Sequence, residues 1–169
     1  MLEQRHLYRE RKFNKALAVK CNSDPVLLKW LADLGTGFDC ASIGEICTVL
    51  RLNVDPALII FANPCKSSAA MAFARQVGVL RTTFDNLDEL DNIKAHMPET
   101  QLLLRVYASD DGALISLGDK FGAHLDTTQQ LLSRAWELGL DVVGVSFHIG
   151  KRITQLLISL ELTSTPCEE

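Results

Sequence analysis

Short strand-like runs, most of them largely apolar, alternate with longer periodic stretches from Ala16 to Phe147. The runs cover 16–21, 37–41, 58–62, 81–84, 101–106 and 142–147. Runs that are apolar throughout, rather than at every second residue, predict strands covered on both faces. Between them apolar residues recur at three- and four-residue spacing, which predicts helices. The first helix follows Ser23-Asp24-Pro25, with Ser23 or Asp24 as cap and Pro25 in the first turn, and carries Val26, Leu27, Trp30, Leu31 and Leu34. Further helices are expected over 43–52, 67–77, 87–97 and 127–138. Ser42 caps the second, and Gly35, Gly78, Pro98 and Gly139 close four of the five. Residues 109–123 read as a loop rich in glycine and charge.

Strand and helix alternating in this way predict βα units and a parallel sheet, either doubly wound or closed as a barrel. Lys20-Cys21-Asn22-Ser23, after the first run, has no glycine, so the dinucleotide-binding turn of a doubly wound fold is absent. Lys20, Asp39, Asn63, Asp85, Arg105 and His148 each fall at or near the end of a different strand. In a barrel those ends share one mouth, where barrel active sites are built. Any one of them has an ordinary explanation: Asp39 or Asp85 as a helix cap, Lys20 as a side chain reaching solvent past its strand. Six from six strands read together as a site. A complete barrel needs eight strands and about 250 residues. This chain supplies six strands in 169 residues, a barrel cut short.

Composition narrows the picture. Hydrophobic residues make up 47% and charged residues 22% of the chain, enough for one domain with a core. A formal net charge of −4 argues against a nucleic-acid or anionic-membrane partner. No apolar run is long enough to span a bilayer, and residues 1–15 are charged and lack a signal core, so a cytoplasmic protein is expected. The five cysteines show no C-x-x-C spacing and no nearby zinc pattern, so no metal site is expected. Cys21, Cys40 and Cys65 lie at strand ends, open to a site, whereas Cys47 reads as a buried small hydrophobe.

Five segments carry a resemblance. They are Ala18-Val19-Lys20-Cys21-Asn22, residues 35–42 (GTGFDCAS), residues 59–66 (IIFANPCK), Lys120-Phe121-Gly122-Ala123 and residues 144–150 (GVSFHIG). Together they closely resemble the eukaryotic ornithine decarboxylases, fold-type III pyridoxal-phosphate enzymes with an alanine-racemase-like barrel. The resemblance implies an α/β fold, an incomplete pyridoxal-phosphate-binding TIM (β/α) barrel with about six of eight units. It divides the chain into an N-terminal arm (1–15), a partial barrel domain (16–150) and an unrelated tail (151–169). It implies that Lys20 holds pyridoxal 5′-phosphate covalently, which calls for a neutral amine; partial burial at the strand end is expected to favour one. It further implies that His148 stacks on the cofactor ring, and that Asp39, Glu45 and Arg105 surround the cofactor and its lysine. Lys120 is placed at the interface of a homodimer whose sites are shared between chains.

The implied reaction is decarboxylation of ornithine to putrescine in polyamine synthesis, with antizyme as a further partner. Residues 151–169 resemble nothing in the family, and the glycine-rich phosphate loop, the acid paired with the pyridinium nitrogen and the C-terminal β domain have no counterpart. A truncated form is therefore expected. Two alternatives stand beside the enzyme: a non-catalytic binding protein of the antizyme-inhibitor kind, and a fragment with no function of its own. The choice among ornithine, lysine and arginine stays open.

Overall fold

A computed structural model describes residues 16–108 and 121–148. The expected arm, the expected tail, Lys120 and most of the 109–123 loop lie outside the described residues. Six strands form one sheet: β1 (Ala16–Ala18), β2 (Gly37–Cys40), β3 (Ile59–Phe61), β4 (Arg81–Phe84), β5 (Gln101–Arg105) and β6 (Asp141–Ser146). They lie side by side in sequence order, and every neighbouring pair is parallel. Between them run α1 (Pro25–Asp33), α2 (Ile43–Leu50), α3 (Ser68–Gln76), α4 (Leu87–His96) and α5 (Leu125–Glu137). A doubly wound sheet reverses its strand order at a switch point; this order never reverses. Right-handed crossovers then carry all the helices to one side, and α2 packs on α3, α3 on α4 and α4 on α5. The result is six units of a β/α barrel wall.

Alternation along the strands divides the side chains between two faces. Phe38, Cys40, Ile59, Phe61, Thr82, Phe84, Leu102 and Leu104 are buried against the helix layer, where they meet Leu28, Ile46, Met71, Leu90 and Ile93. Each large apolar side chain so buried contributes about 1.5–3 kcal/mol. The one polar member, Thr82, donates its hydroxyl to the Phe61 carbonyl at 2.6 Å. The intervening residues, Asp39, Ile60, Arg81, Thr83, Leu103 and Arg105, belong to the opposite, inner face.

Capping residues set the helix starts. Asp24 accepts the Val26 and Leu27 N–H groups at 3.0 and 2.9 Å, and Asn86 accepts the Glu89 N–H at 2.8 Å. Ser42 and Ser67 cap α2 and α3 in the same way. Helix α5 starts at Leu125 rather than Thr127, because His124 holds the cap position without a side-chain hydrogen bond; no ordinary capping residue marks that start.

Three expectations need correction. The first strand stops at Ala18, and Val19–Cys21 form a 3₁₀ turn. That turn sends Val19 into the core and leaves Lys20 exposed, so the expected burial of the lysine is not found. Both-face coverage fails at β6, where Val143 and Val145, with Phe147 just beyond, are exposed; among the described residues no helix follows that strand to cover them. Cys40, expected to open onto a site, is buried on the helix side of β2, and Cys47 is only half-buried. No helix among the described residues is long and apolar enough to cross a membrane.

Candidate functional site

The parallel sheet brings the C-terminal ends of all six strands to one rim, and the side chains expected there interact. Lys20 projects from the turn after β1 and acts on both Asp39 and His148. Asp39, on the inner face of β2, is half-buried. Burial pushes its carboxyl above the ordinary value; Lys20 opposes this, Glu45 adds to it, and Arg105 opposes it again. Glu45 stands at the start of α2 and accepts the Ala41 N–H at 2.7 Å through Oε2, while its own N–H goes to the Ser42 hydroxyl. This is close to a capping box, and it fixes the carboxylate beside Asp39.

Arg105 ends β5 and is 7% exposed. Burial lowers the pKa of its guanidinium, against the charges of Asp85 and Asp39. The guanidinium carbon lies 5.2 Å from the centre of the Phe121 ring, a cation–π distance. His148, two residues beyond β6, is half-buried and held below the ordinary histidine pKa of 6.5 by burial, then by Arg105 and Lys20. Its imidazole is therefore neutral at pH 7.

Buried polar atoms normally find partners. Among the described residues seven buried side-chain atoms have none, and four of them belong to this rim: Asp39 Oδ1, Arg105 Nε, Ser146 Oγ and His148 Nδ1. A cluster of unmatched donors and acceptors beside the exposed Lys20 is suited to a polar ligand that would complete it. No group of His, Cys, Asp and Glu suited to a metal ion occurs among the described residues. A cavity of about 350 Å³ lies at the other, N-terminal ends of the strands, lined by Pro56, Gly78, Arg81 and Gln101 among others, and none of the rim residues reaches it.

Two of the six strand-end residues serve the scaffold. Asn63 donates to the Ala41 carbonyl at 3.3 Å and accepts the Cys65 N–H, tying the loop after β3 to the end of β2. Asp85 accepts the Gly122 N–H at 2.9 Å. Lys120 lies outside the described residues. Sequence reasoning missed Phe121 as the shelf under Arg105 and assigned nothing to Lys66, whose side chain is fully buried. Lys66 Nζ pairs with Glu89 at 2.6 Å and donates to the carbonyls of Asn63 and Thr83, both at 2.9 Å. Its only local mark is a lysine in the short loop after a buried strand, at Asn63-Pro64-Cys65-Lys66.

Comparison with known proteins adds a family. The model of the pyridoxal-dependent decarboxylase pyridoxal-binding domain matches residues 2–160. The ornithine decarboxylase of Neurospora crassa is 53% identical over 133 residues, which are 79% of this chain and 28% of the relative. Among solved structures, the arginine decarboxylase of Paramecium bursaria Chlorella virus superposes with a TM-score of 0.80 at 42% identity, over 83% of this chain and 38% of that one. The ornithine decarboxylase of Entamoeba histolytica superposes at 0.71 and 34% identity, over 80% and 37%. The chain thus spans less than a third of the Neurospora relative's length.

Proposed function

This chain belongs to the pyridoxal-dependent decarboxylases, whose pyridoxal-binding domain it carries, and on that premise we propose that its rim is the cofactor site of an ornithine-type decarboxylase. The observation that carries the reading is the convergence of Lys20, Asp39, Arg105 and His148 around four unpartnered buried polar atoms, three of them on these residues and the fourth Ser146 Oγ. When bound, pyridoxal phosphate supplies an electron sink for the carbanion left as carbon dioxide departs.

The chain's own residues have separable tasks in this reading. Among the described residues Lys20 is the lysine that acts on both Asp39 and His148, and its exposure lets it reach a ligand. Asp39, with its carboxyl pushed up by burial, is suited to hold or pass a proton next to that amine. His148, kept neutral, presents a flat uncharged ring for stacking against a planar heterocycle and an unmatched Nδ1 for a hydrogen bond. Arg105 supplies a fixed positive field for an anionic ligand group, and Glu45 holds the end of β2 in place through Ala41.

Ornithine as substrate is supported by the Neurospora relative at 53% identity. The likeness to an arginine decarboxylase at 42% identity supports a wall that relatives named for different substrates have in common, so ornithine rests here on the Neurospora likeness. A homodimer engaging Lys120, and a regulatory partner of the antizyme kind, belong to the same proposal. The test is a chimera in which residues 16–148 replace the matching segment of the Neurospora enzyme. Release of carbon dioxide from ornithine, abolished by Lys20→Ala, is expected. A chimera that folds and binds pyridoxal phosphate but whose turnover survives Lys20→Ala would overturn the reading.

A further inference from the structure

Asp85 stands at the end of β4, on the rim, yet the reading above gives it no part. Its Oδ2 accepts the Gly122 N–H at 2.9 Å and its Oδ1 accepts from the Asn86 side chain at 2.9 Å. Gly122 lies between two constraints. Its φ of +115° and the space around it exclude a side chain, since a Cβ there would stand 2.8 Å from the Tyr107 nitrogen and 2.9 Å from its Cα. The close approach lets the segment run as a short added strand beside the end of β5. The Ala123 N–H reaches the Arg105 carbonyl at 2.9 Å, and the Tyr107 N–H reaches the Ala123 carbonyl at 2.8 Å. Tyr107 and His124 stack at 5.0 Å across the same junction. On the open side of this added strand the Gly122 N–H is held by Asp85, and the residue before it is Phe121, whose ring faces the Arg105 guanidinium.

We propose that Asp85 is a positioning residue: by holding the Gly122 amide it fixes the Phe121 ring on which the Arg105 guanidinium rests. The inference rests on the reading of the rim as the pyridoxal-phosphate site, but its structural half stands without a cofactor. Arg105 Nε has no protein partner among the described residues, so its aim depends on what packs against the guanidinium plane. A shift of the Phe121 ring turns that unmatched donor away from the rim. Asp85 thus acts on the ligand at one remove, through Gly122 and Phe121, while its charge also favours the ionised form of Arg105.

The experiment separates the hydrogen bond from the charge. Asp85→Asn keeps an acceptor for Gly122 and removes the charge; Asp85→Ala removes both; Phe121→Leu removes the shelf and leaves the Gly122 contact. In the full chain without cofactor, NMR reads hydrogen exchange at the Gly122 amide and the Arg105 Nε–H resonance. Asp85→Ala is expected to speed Gly122 exchange by about tenfold or more, the scale of one charge-assisted hydrogen bond, and to move the Arg105 signal. Asp85→Asn is expected to restore slow exchange and the original Arg105 signal, and Phe121→Leu to move the Arg105 signal alone. Pyridoxal-phosphate retention, followed by visible absorbance in the chimera, should fall in the order of the Arg105 displacement. An Arg105 signal unmoved by both Asp85→Ala and Phe121→Leu overturns the positioning role, as does an unchanged Gly122 exchange rate in Asp85→Ala. Should Asp85→Ala not fold, Phe121→Leu and Asp85→Asn decide: the role falls if Phe121→Leu leaves Arg105 unmoved or Asp85→Asn displaces it as far. A chimera that binds no cofactor while these NMR shifts occur contradicts the site reading and leaves the positioning role intact.

Discussion

Two lysines follow two strands of the same wall, β1 and β3, and their surroundings are opposite in kind. Lys66, after β3, has a side chain that is 0% exposed, and Glu89 and two carbonyls take its ammonium. Glu89 in turn faces the Lys66 N–H, and Asn92 donates to the Lys66 carbonyl at 2.9 Å. Burial pulls the Lys66 pKa down, with Glu89 opposing it. Every polar atom of the Lys66 and Glu89 side chains is matched within the chain. Lys20, after β1, is exposed, and among the polar groups it acts on, Asp39 and His148 keep unmatched buried atoms. A buried polar cluster that satisfies itself is scaffold; one left incomplete is matched to something that binds.

The largest expected effect breaks the closed cluster. Lys66→Met leaves Glu89 buried without its cation and should cost about 3–5 kcal/mol in urea unfolding, the range for removing one partner of a buried pair. Lys20→Ala should change stability by less than about 0.5 kcal/mol, as surface substitutions do. Equal losses would erase the distinction between the two lysines.

The next effect sharpens the open cluster. Asp39→Asn should leave stability at pH 7 equal or slightly higher, because burial disfavours the Asp39 carboxylate in the folded chain. With the folded pKa raised, stability is lost as pH rises through the ordinary carboxylate value toward the raised one. The Asn variant should lack that loss. Pyridoxal-phosphate affinity in the chimera should nonetheless fall about tenfold, the worth of one charged hydrogen bond. A drop of several kcal/mol in stability would make Asp39 part of the scaffold instead.

His148 gives a smaller, pH-dependent effect. Its folded pKa lies below 6.5, so as pH falls through 6.5 the unfolded chain takes the proton first and stability declines until the depressed value is passed. His148→Gln should flatten that part of the profile. Arg105→Gln should move the His148 titration, followed by NMR, back toward 6.5, since the guanidinium is one of the charges holding it down. The smallest effect separates a thiol on the helix side of β2 from thiols beyond the ends of β1 and β3. Cys40, buried behind the rim with its thiol pushed up to about 12, should resist alkylation in the folded chain, whereas exposed Cys21 should label readily and exposed Cys65, its thiol pushed up by burial and by Asp85 and Glu89, more slowly than Cys21.

Much of this arrangement is legible in the chain because it is local. Asp24, Ser42 and Gly35 mark helix ends through their own chemistry, and unbroken apolar runs mark the strands. Lys20, Asp39, Arg105 and His148 stand out because each is a polar residue at or near the end of such a run. What escaped depends on distant partners. Cys40 looks like a strand-end thiol until alternation turns it to the helix side. The turn at Val19–Cys21 depends on Val19 finding the core, which no local pattern announces. Phe121 comes under Arg105 at a turn where Gly122 approaches Tyr107 and gives its N–H to Asp85, 37 residues earlier. Lys66 meets Glu89 across 23 residues, and nothing near either residue says so.

The central claim is that Lys20, not buried Lys66 nor an ordinary surface lysine, is the amine that takes pyridoxal phosphate. It is tested most directly by incubating the full chain with pyridoxal phosphate, reducing with borohydride and mapping the pyridoxyl label by peptide mass spectrometry. The account predicts label concentrated on Lys20, lost in Lys20→Arg, and reduced in Asp39→Asn and His148→Ala while exposed Lys29 labels equally in all. Label spread evenly over Lys20, Lys29 and Lys94, unchanged by substitutions at Asp39 and His148, would contradict it.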